Sequence, residues 1–232
     1  MASVSRIDVR RELDRLASMP VRSAAQARMR REAAAMIAAE HLVEAAASFR
    51  FVDLDSCEDG QLRAGGKILY APRLIPEEGR LTALACGTAT IGDALERRVS
   101  ALFAERRPAL ALALDDLGNQ LLFEVSRRLQ DRMLGHALKR NLTMAGELRA
   151  GDPGLDLSYQ PVVVQLADGA AIGVGVSAGL ALTPLKSMAT VMGAGVDLPP
   201  AAWSRCDECP SSQKCKLARP QAATALQQPG AP

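Results

Sequence analysis

The sequence predicts an α+β fold, in which a twisted antiparallel sheet is flanked by helices and preceded by further helices at the N-terminus. Stretches with helical periodicity and stretches with strand-like alternation are mixed along the chain, without the regular strand–helix alternation that marks a parallel sheet. The chain has 232 residues and is 48% hydrophobic, but only 3% of its residues are aromatic. A sizeable core is therefore expected, built from Ala, Leu and Val.

The N-terminal part of the chain has the pattern of two helices. Residues 5–19 and 21–48 place apolar side chains at helical spacing, with Arg and Glu on the opposite face. Ser5 and Ser23 are the predicted N-caps. Acidic residues are interleaved with the arginines, which favours a solvated face over a surface that docks an acidic partner. Residues 1–50 are therefore expected to form an N-terminal helical segment.

Strands and two helices are predicted next. Residues 49–54 and 67–70 alternate like short strands, with turn glycines between them. An apolar run at 79–87 is typical of a buried strand. It is followed by an amphipathic helix from about 93 to 105 and a long Ala- and Leu-rich helix from about 108 to 138.

Shorter elements follow the long helix. The patterns predict, in chain order, a strand at 142–148, a Gly/Pro loop at 149–157, a helix near 158–167, strands at 171–176 and 180–182, and a helix at 185–192. Residues 51–200 are expected to form the main α+β domain. The tail at 218–232 is rich in Ala, Gln and Pro and is expected to be disordered.

Composition argues against several classes of protein. A net charge of +2 is too small to indicate a nucleic-acid surface. The sequence has no apolar run of membrane-spanning length. The N-terminus lacks an apolar signal core, so a cytoplasmic location is expected. In that reducing compartment, the five cysteines are expected to be thiols or metal ligands rather than disulfides.

A C-x2-C-x5-C cluster is the strongest local signal for chemistry. Cys206, Cys209 and Cys215 make residues 201–217 a predicted metal-binding segment. Structural zinc normally takes four ligands, whereas an iron–sulfur cluster is held by thiolates and can leave one iron to another ligand. An iron–sulfur cluster is therefore favoured over zinc, with Cys57 or Cys86 as a candidate fourth ligand. The alternative is three unliganded thiols.

Three weaker signals could belong to a binding site. The turn from Cys86 to Gly92 enters a helix and could offer backbone N–H groups to an anion, although most such turns only connect elements. Asp116 and Glu124 lie eight residues apart on the long helix and so share roughly one face, where acids are usually solvated. Arg149 precedes the Gly/Pro loop, where a guanidinium could hold a carboxylate in bidentate fashion, or could simply be exposed.

The order of these motifs resembles the activation domain of cobalamin-dependent methionine synthase, and most closely its small stand-alone relatives. The resemblance covers about residues 80–216, and those relatives often end in a cysteine cluster like this one. The residues that carry it are Ala89–Glu96, Leu114–Gly118, Glu124, Arg149, Gly151, Leu157, Gln160, Ile172–Val174 and Pro184–Ser187.

The resemblance implies a site for S-adenosylmethionine. It places Arg149 on the methionyl carboxylate, Gly151 in the groove lining, and Glu124 on the methionyl amine or the ribose. Pro184 and Ser187 would form the opposite wall. The loop at 149–154 is about two residues shorter than in the family, and Asp152 stands where the family has an aromatic residue. That carboxylate could meet the sulfonium or repel the donor's carboxylate.

The implied role is the reductive reactivation of a corrinoid. Co(II) on a corrinoid protein or cobalamin-dependent methyltransferase would be reduced and remethylated from S-adenosylmethionine, with electrons possible through the iron–sulfur cluster. A second interpretation is a non-catalytic module that binds the methyltransferase and holds a structural metal. A third is an unrelated metal-binding regulator.

Overall fold

The computed structural model describes residues 2–201. The strands are β1 Ser3–Arg6, β2 Ala46–Glu58, β3 Gln61–Ala64, β4 Lys67–Tyr70, β5 Arg80–Thr90, β6 Thr143–Leu148, β7 Gly175–Val176, β8 Leu182–Thr183 and β9 Ser187–Val196. The helices are α1 Arg10–Ser18, α2 Ala24–Ala39, α3 Ala94–Ala104, α4 Pro108–Lys139 and α5 Gln160–Leu166. No helix within this part of the chain is long and apolar enough to cross a membrane.

The main sheet has seven strands, and its described pairings are all antiparallel. Its order is β4-β3-β2-β5-β9-β6, and β1 pairs with the first half of β2. The strands β7 and β8 form a separate hairpin. The two longest ladders join β5 to β2 and to β9, so β5 and β9 lie in the middle of the sheet, where they are almost entirely buried.

Helices cover the two faces of the sheet unequally. One face packs against α1 to α4, and the 32-residue α4 contributes the largest share of that core. The other face is covered by α5 and by the β3–β4 hairpin. Gly118 lets α4 approach α3, because a Cβ at this position would lie 2.8 Å from Leu95 Cδ2. The short helix predicted near 158–167 and the strand predicted at 142–148 are confirmed as α5 and β6.

The N-terminal segment differs from its prediction. Ser23 caps α2 as expected, with its hydroxyl accepting a hydrogen bond from Gln26 N. Ser5, however, is no N-cap, because it lies in β1 opposite Ala47. The helix predicted at 21–48 ends at Ala39. The Ala-rich stretch after it enters β2, which is paired on both sides; these sheet contacts outweigh its helix propensity.

The helix predicted at 185–192 is wrong, since this segment is β9. Met and Ala have a high intrinsic helix propensity, but here successive side chains point alternately into the two hydrophobic cores, one on each face of the sheet. Pairing with β5 along ten residues decides the outcome. The strand predicted at 171–176 is also mostly wrong. A 3-10 turn occupies Gly169–Ile172, and only Gly175–Val176 is extended.

Candidate functional site

The loop after β6 and the turn before β9 lie at the same end of the sheet. Strand β6 ends at Leu148, which pairs with Val191. The antiparallel strand β9 begins before that pair, at Ser187. Four residues of extended chain span about 13 Å. The two predicted walls, at Arg149 and at Ser187, therefore flank a short stretch of β9 that extends beyond its β6 neighbour.

The turn at 184–187 is fixed to the helices on one face. Lys186 Nζ lies 2.6 Å from Asp115 Oδ1 and 2.5 Å from Asn119 Oδ1, and its side chain is only 12% exposed. Leu185 N donates to the carboxylate of Glu96 at 2.9 Å. Lys186 thus anchors the turn to α4.

Ser187 and Pro184 complete this turn. The Ser187 hydroxyl is buried and donates to Thr90 Oγ1 at 2.9 Å. The peptide bond between Thr183 and Pro184 is cis. Lys186 O accepts a hydrogen bond from Ile91 N at 3.1 Å. Hydrogen bonds therefore join the turn at 184–187 to the end of β5.

The turn after β5 offers fewer free amides than the sequence indicated. The strand continues to Thr90. Ile91 N is bonded to Lys186 O, and Gly92 N donates to Thr90 Oγ1 at 3.1 Å. These two N–H groups are therefore used inside the protein instead of being presented to an anion.

The loop at 149–155 closes on itself. Arg149 N donates to Asp152 Oδ2 at 2.9 Å, and Asp152 N donates back to Arg149 O at 2.9 Å. Gly151 N donates to Leu155 O at 2.8 Å, and Gly151 has φ +94°, a conformation that favours glycine. One oxygen of Asp152 therefore stabilises the short loop, which accounts for an acid at this position without any ligand.

The side chain of Arg149 pairs with Glu147. Arg149 Nη2 lies 3.2 Å from Glu147 Oε1, and both side chains are about one-fifth exposed (21% and 22%). Glu147 Oε1 also accepts a hydrogen bond from Thr190 Oγ1 at 3.2 Å. No sequence pattern singled out Glu147. The available signal was an acid two residues before Arg149, near the end of a predicted strand.

Glu124 lies on another face of α4. Its carboxylate is 2.6 Å from Arg15 Nη2 on α1 and 3.4 Å from Arg127 Nη1. On a helix, Glu124 is rotated by about 140° from Asn119, the residue that meets Lys186. Its described contacts therefore join the N-terminal helices to α4. Asp116 has a similar role, since it lies 2.8 Å from Arg30 Nη2.

The cysteine cluster at Cys206, Cys209 and Cys215 lies outside the described residues. Of the two candidate fourth ligands, Cys57 is exposed and Cys86 is buried. Burial raises the pKa of the Cys86 thiol to about 12, which disfavours the thiolate that a metal requires. Within residues 2–201, no group of three or more His, Cys, Asp or Glu side chains is arranged to hold a metal ion.

Comparison with known proteins identifies a structural relative. No protein-family model matches the chain, and no curated protein matches it. Among solved structures, the crystal structure of the MetH reactivation domain bound to AdoHcy superposes with a TM-score of 0.63 at 10% sequence identity. The match covers 86% of this chain and 80% of that chain.

The chain has the fold of the MetH reactivation domain. The predicted α+β class, with an antiparallel sheet flanked by helices, is confirmed. The match extends over 86% of this chain, more than the span that carried the sequence resemblance.

Proposed function

We propose that this protein binds S-adenosylmethionine and supports the reductive reactivation of a corrinoid-dependent methyltransferase. The observation that carries the proposal is the shared fold with a reactivation domain whose crystal structure is described as bound to AdoHcy. AdoHcy is the product that S-adenosylmethionine leaves after it gives up its methyl group. Such a molecule would lie between the two flanking segments at Arg149 and Ser187.

The proposed reaction needs one electron and one methyl group. One electron from a reductant converts Co(II) of the partner's corrinoid to Co(I). The electron pair of Co(I) attacks the methyl carbon, the C–S bond breaks with its electrons staying on sulfur, and S-adenosylhomocysteine leaves. Because the cobalt is the nucleophile, this chain needs to bind and orient the donor rather than supply an acid or base.

All the predicted site residues except Glu124 have a proposed part. Arg149 would hold the methionyl carboxylate, and the backbone at Gly151 would line the groove beside it. Pro184 and Ser187 would form the far wall, which the Lys186 anchor keeps in place. Asp152 would act mainly through the loop that it closes.

The C-terminal cysteines would supply electron transfer. Cys206, Cys209 and Cys215 would hold an iron–sulfur cluster, which can deliver single electrons, with zinc as the alternative metal. Anaerobic purification tests this point. A brown protein that absorbs visible light supports the iron–sulfur cluster. A colourless protein that contains zinc supports a structural metal site.

Calorimetric titration with S-adenosylmethionine and S-adenosylhomocysteine tests the donor site. Arg149→Ala should weaken binding by about 2–4 kcal/mol, because a largely buried carboxylate would lose its charged partner. The absence of heat at millimolar ligand, also in the presence of a corrinoid protein, would refute the proposed function.

A second function is favoured by the closed loop. The hydrogen bonds between Arg149 and Asp152 close the segment that would line the groove of the proposed site. A protein with this loop could serve as a non-catalytic module that binds a corrinoid methyltransferase without a donor. Copurification of a corrinoid protein, together with no detectable heat in the titration with S-adenosylmethionine, would support this second function.

A further inference from the structure

We propose that the groove between α1 and α2 docks an acidic segment of a partner protein, with an apolar side chain of that segment inside the groove. The groove has a volume of about 460 Å³ and lies where the last turn of α1 meets the first turn of α2. It shares no residue with the proposed donor site, and docking there does not depend on the proposed function.

The first reason is that the acids of these two helices are largely paired with other parts of the protein. Glu12 of α1 contacts Arg128 of α4, and Glu32 of α2 contacts Arg107, which precedes α4. In the sequence these acids are interleaved with the arginines of α1 and α2, which favoured a solvated face. In the structure they neutralise arginines of the next helix layer instead.

The second reason is that three exposed arginines beside the groove keep their charge without a counterion. Arg31 lines the groove, Arg22 lies between two lining residues, and Arg28 follows another lining residue on α2. Within residues 2–201, none of these three guanidinium groups has a hydrogen bond or an ion pair, and Asp14 is the one acid of α1 and α2 in the same condition. An acidic partner would neutralise this excess of positive charge.

The third reason is the apolar lining of the groove. Ala17 of α1 and Ala24 and Ala27 of α2 contribute small side chains, and Met19–Val21 in the connection add larger ones. Met19 is 42% exposed. A concave apolar surface beside cations fits an apolar side chain that is flanked by acids, as in an amphipathic segment bound in a groove.

A protein segment fits this surface better than a membrane or a nucleic acid does. An interfacial helix buries its apolar face in the membrane, whereas here the apolar side chains line a hollow. Single-stranded nucleic acid stacks its bases on aromatic rings, and none of the described residues that line the groove is aromatic.

The test is a fluorescence-anisotropy titration of the full chain with a labelled acidic peptide. The peptide carries leucines at i and i+4 among glutamates, the spacing of groove-binding helices, and a second peptide has alanines in their place. The protein variants are Arg31→Gln, the triple variant that adds Arg22→Gln and Arg28→Gln, and Ala24→Leu, which fills the groove and keeps the charge. Thermal unfolding of each variant reports whether the fold is retained.

Arg6→Gln is the matched control. Arg6 is exposed, its guanidinium has no partner within residues 2–201, and it lies in β1 rather than in the lining of the groove. Its substitution removes the same charge from the protein without changing the proposed docking site.

The wild type should bind the leucine peptide about tenfold or more tightly than the alanine peptide, because the leucines bury apolar surface. Arg31→Gln should weaken binding about two- to fivefold, the size of an exposed ion pair, and the triple variant about tenfold or more. Ala24→Leu should weaken the leucine peptide alone, and Arg6→Gln should bind like the wild type. Amide NMR signals of residues 17–31 should shift when the leucine peptide is added.

Other outcomes overturn the docking site. Equal binding of the two peptides, or equal weakening by Arg6→Gln and Arg31→Gln, would show only a general attraction between opposite charges. Tighter binding to vesicles of phosphatidylserine and phosphatidylcholine, or to a single-stranded oligonucleotide, with loss in the triple variant, would assign the surface to another class of partner. A wild-type chain that does not bind the leucine peptide at millimolar concentration would refute the proposal outright.

Discussion

Substitution of Lys186 tests most directly how the turn at 184–187 is held against α4. Lys186→Met keeps the aliphatic stem and removes the ammonium that contacts Asp115 Oδ1 at 2.6 Å and Asn119 Oδ1 at 2.5 Å. Hydrogen bonds to charged groups contribute about 1.5–3 kcal/mol, and exposed ion pairs about 0–1 kcal/mol. The Lys186 side chain is 12% exposed, but Asp115 is 41% exposed and regains water in the variant. The expected loss of unfolding free energy is therefore between these limits, about 1–2 kcal/mol.

Chemical and thermal unfolding measure this loss. For a chain of this size, it corresponds to a drop in Tm of about 2–8 °C. A double-mutant cycle with Asp115→Asn isolates the pair from the other effects of each substitution, and its coupling energy should be about 1 kcal/mol. A coupling energy below about 0.4 kcal/mol would show that the ammonium is effectively solvated and that the anchor does not exist.

Further predictions concern the thiols and two glycines. The pKa of the Cys86 thiol is raised to about 12 in the folded protein, against 9.0 for a free thiol. As the pH rises, this thiol therefore loses its proton at a lower pH in the unfolded chain than in the folded one. The free energy of unfolding, measured by urea titration, should fall by about 1.4 kcal/mol from pH 8 to pH 10. Cys86→Ser should lower this slope, to which Cys57 also contributes because burial raises the pKa of its thiol; a slope that Cys86→Ser leaves unchanged contradicts the assignment. Gly135→Ala, in open space on α4, should stabilise by about 0.5–1 kcal/mol. Gly195→Ala, whose Cβ would overlap the Arg80 carbonyl, should cost about 3 kcal/mol or more; equal effects of the two substitutions would refute this contrast. Cys209→Ser should reduce metal content by elemental analysis, and full retention would exclude the cluster.

The contrast between β9 and α4 shows where sequence patterns suffice to predict secondary structure. The helix α4 was predicted to within one residue at each end, because a long run with helical periodicity allows few alternatives. The β9 segment was predicted as a helix, because a short run of Met, Ala and Thr does not indicate that other strands pair with it on both sides. Pairing with β5 and β6 is a long-range property, and it overrides local propensity.

The site divides in the same way. Arg149, Pro184 and Ser187 were proposed from their order along the chain, and the structure brings their segments to one end of the sheet. The ion pair between Glu147 and Arg149 was not predicted, because the side chain that lies beside the guanidinium depends on where β6 ends.

The sequence by itself therefore determined the α+β class and the long helix. Those features follow from local periodicity and from side-chain chemistry, which neighbours along the chain can reveal. Only the tertiary structure decided that Lys186 is an anchor, that Asp152 closes its own loop, and that Glu147 accompanies Arg149. These depend on contacts between separate elements and on burial, because the charge of a neighbour in space sets what a buried side chain can do.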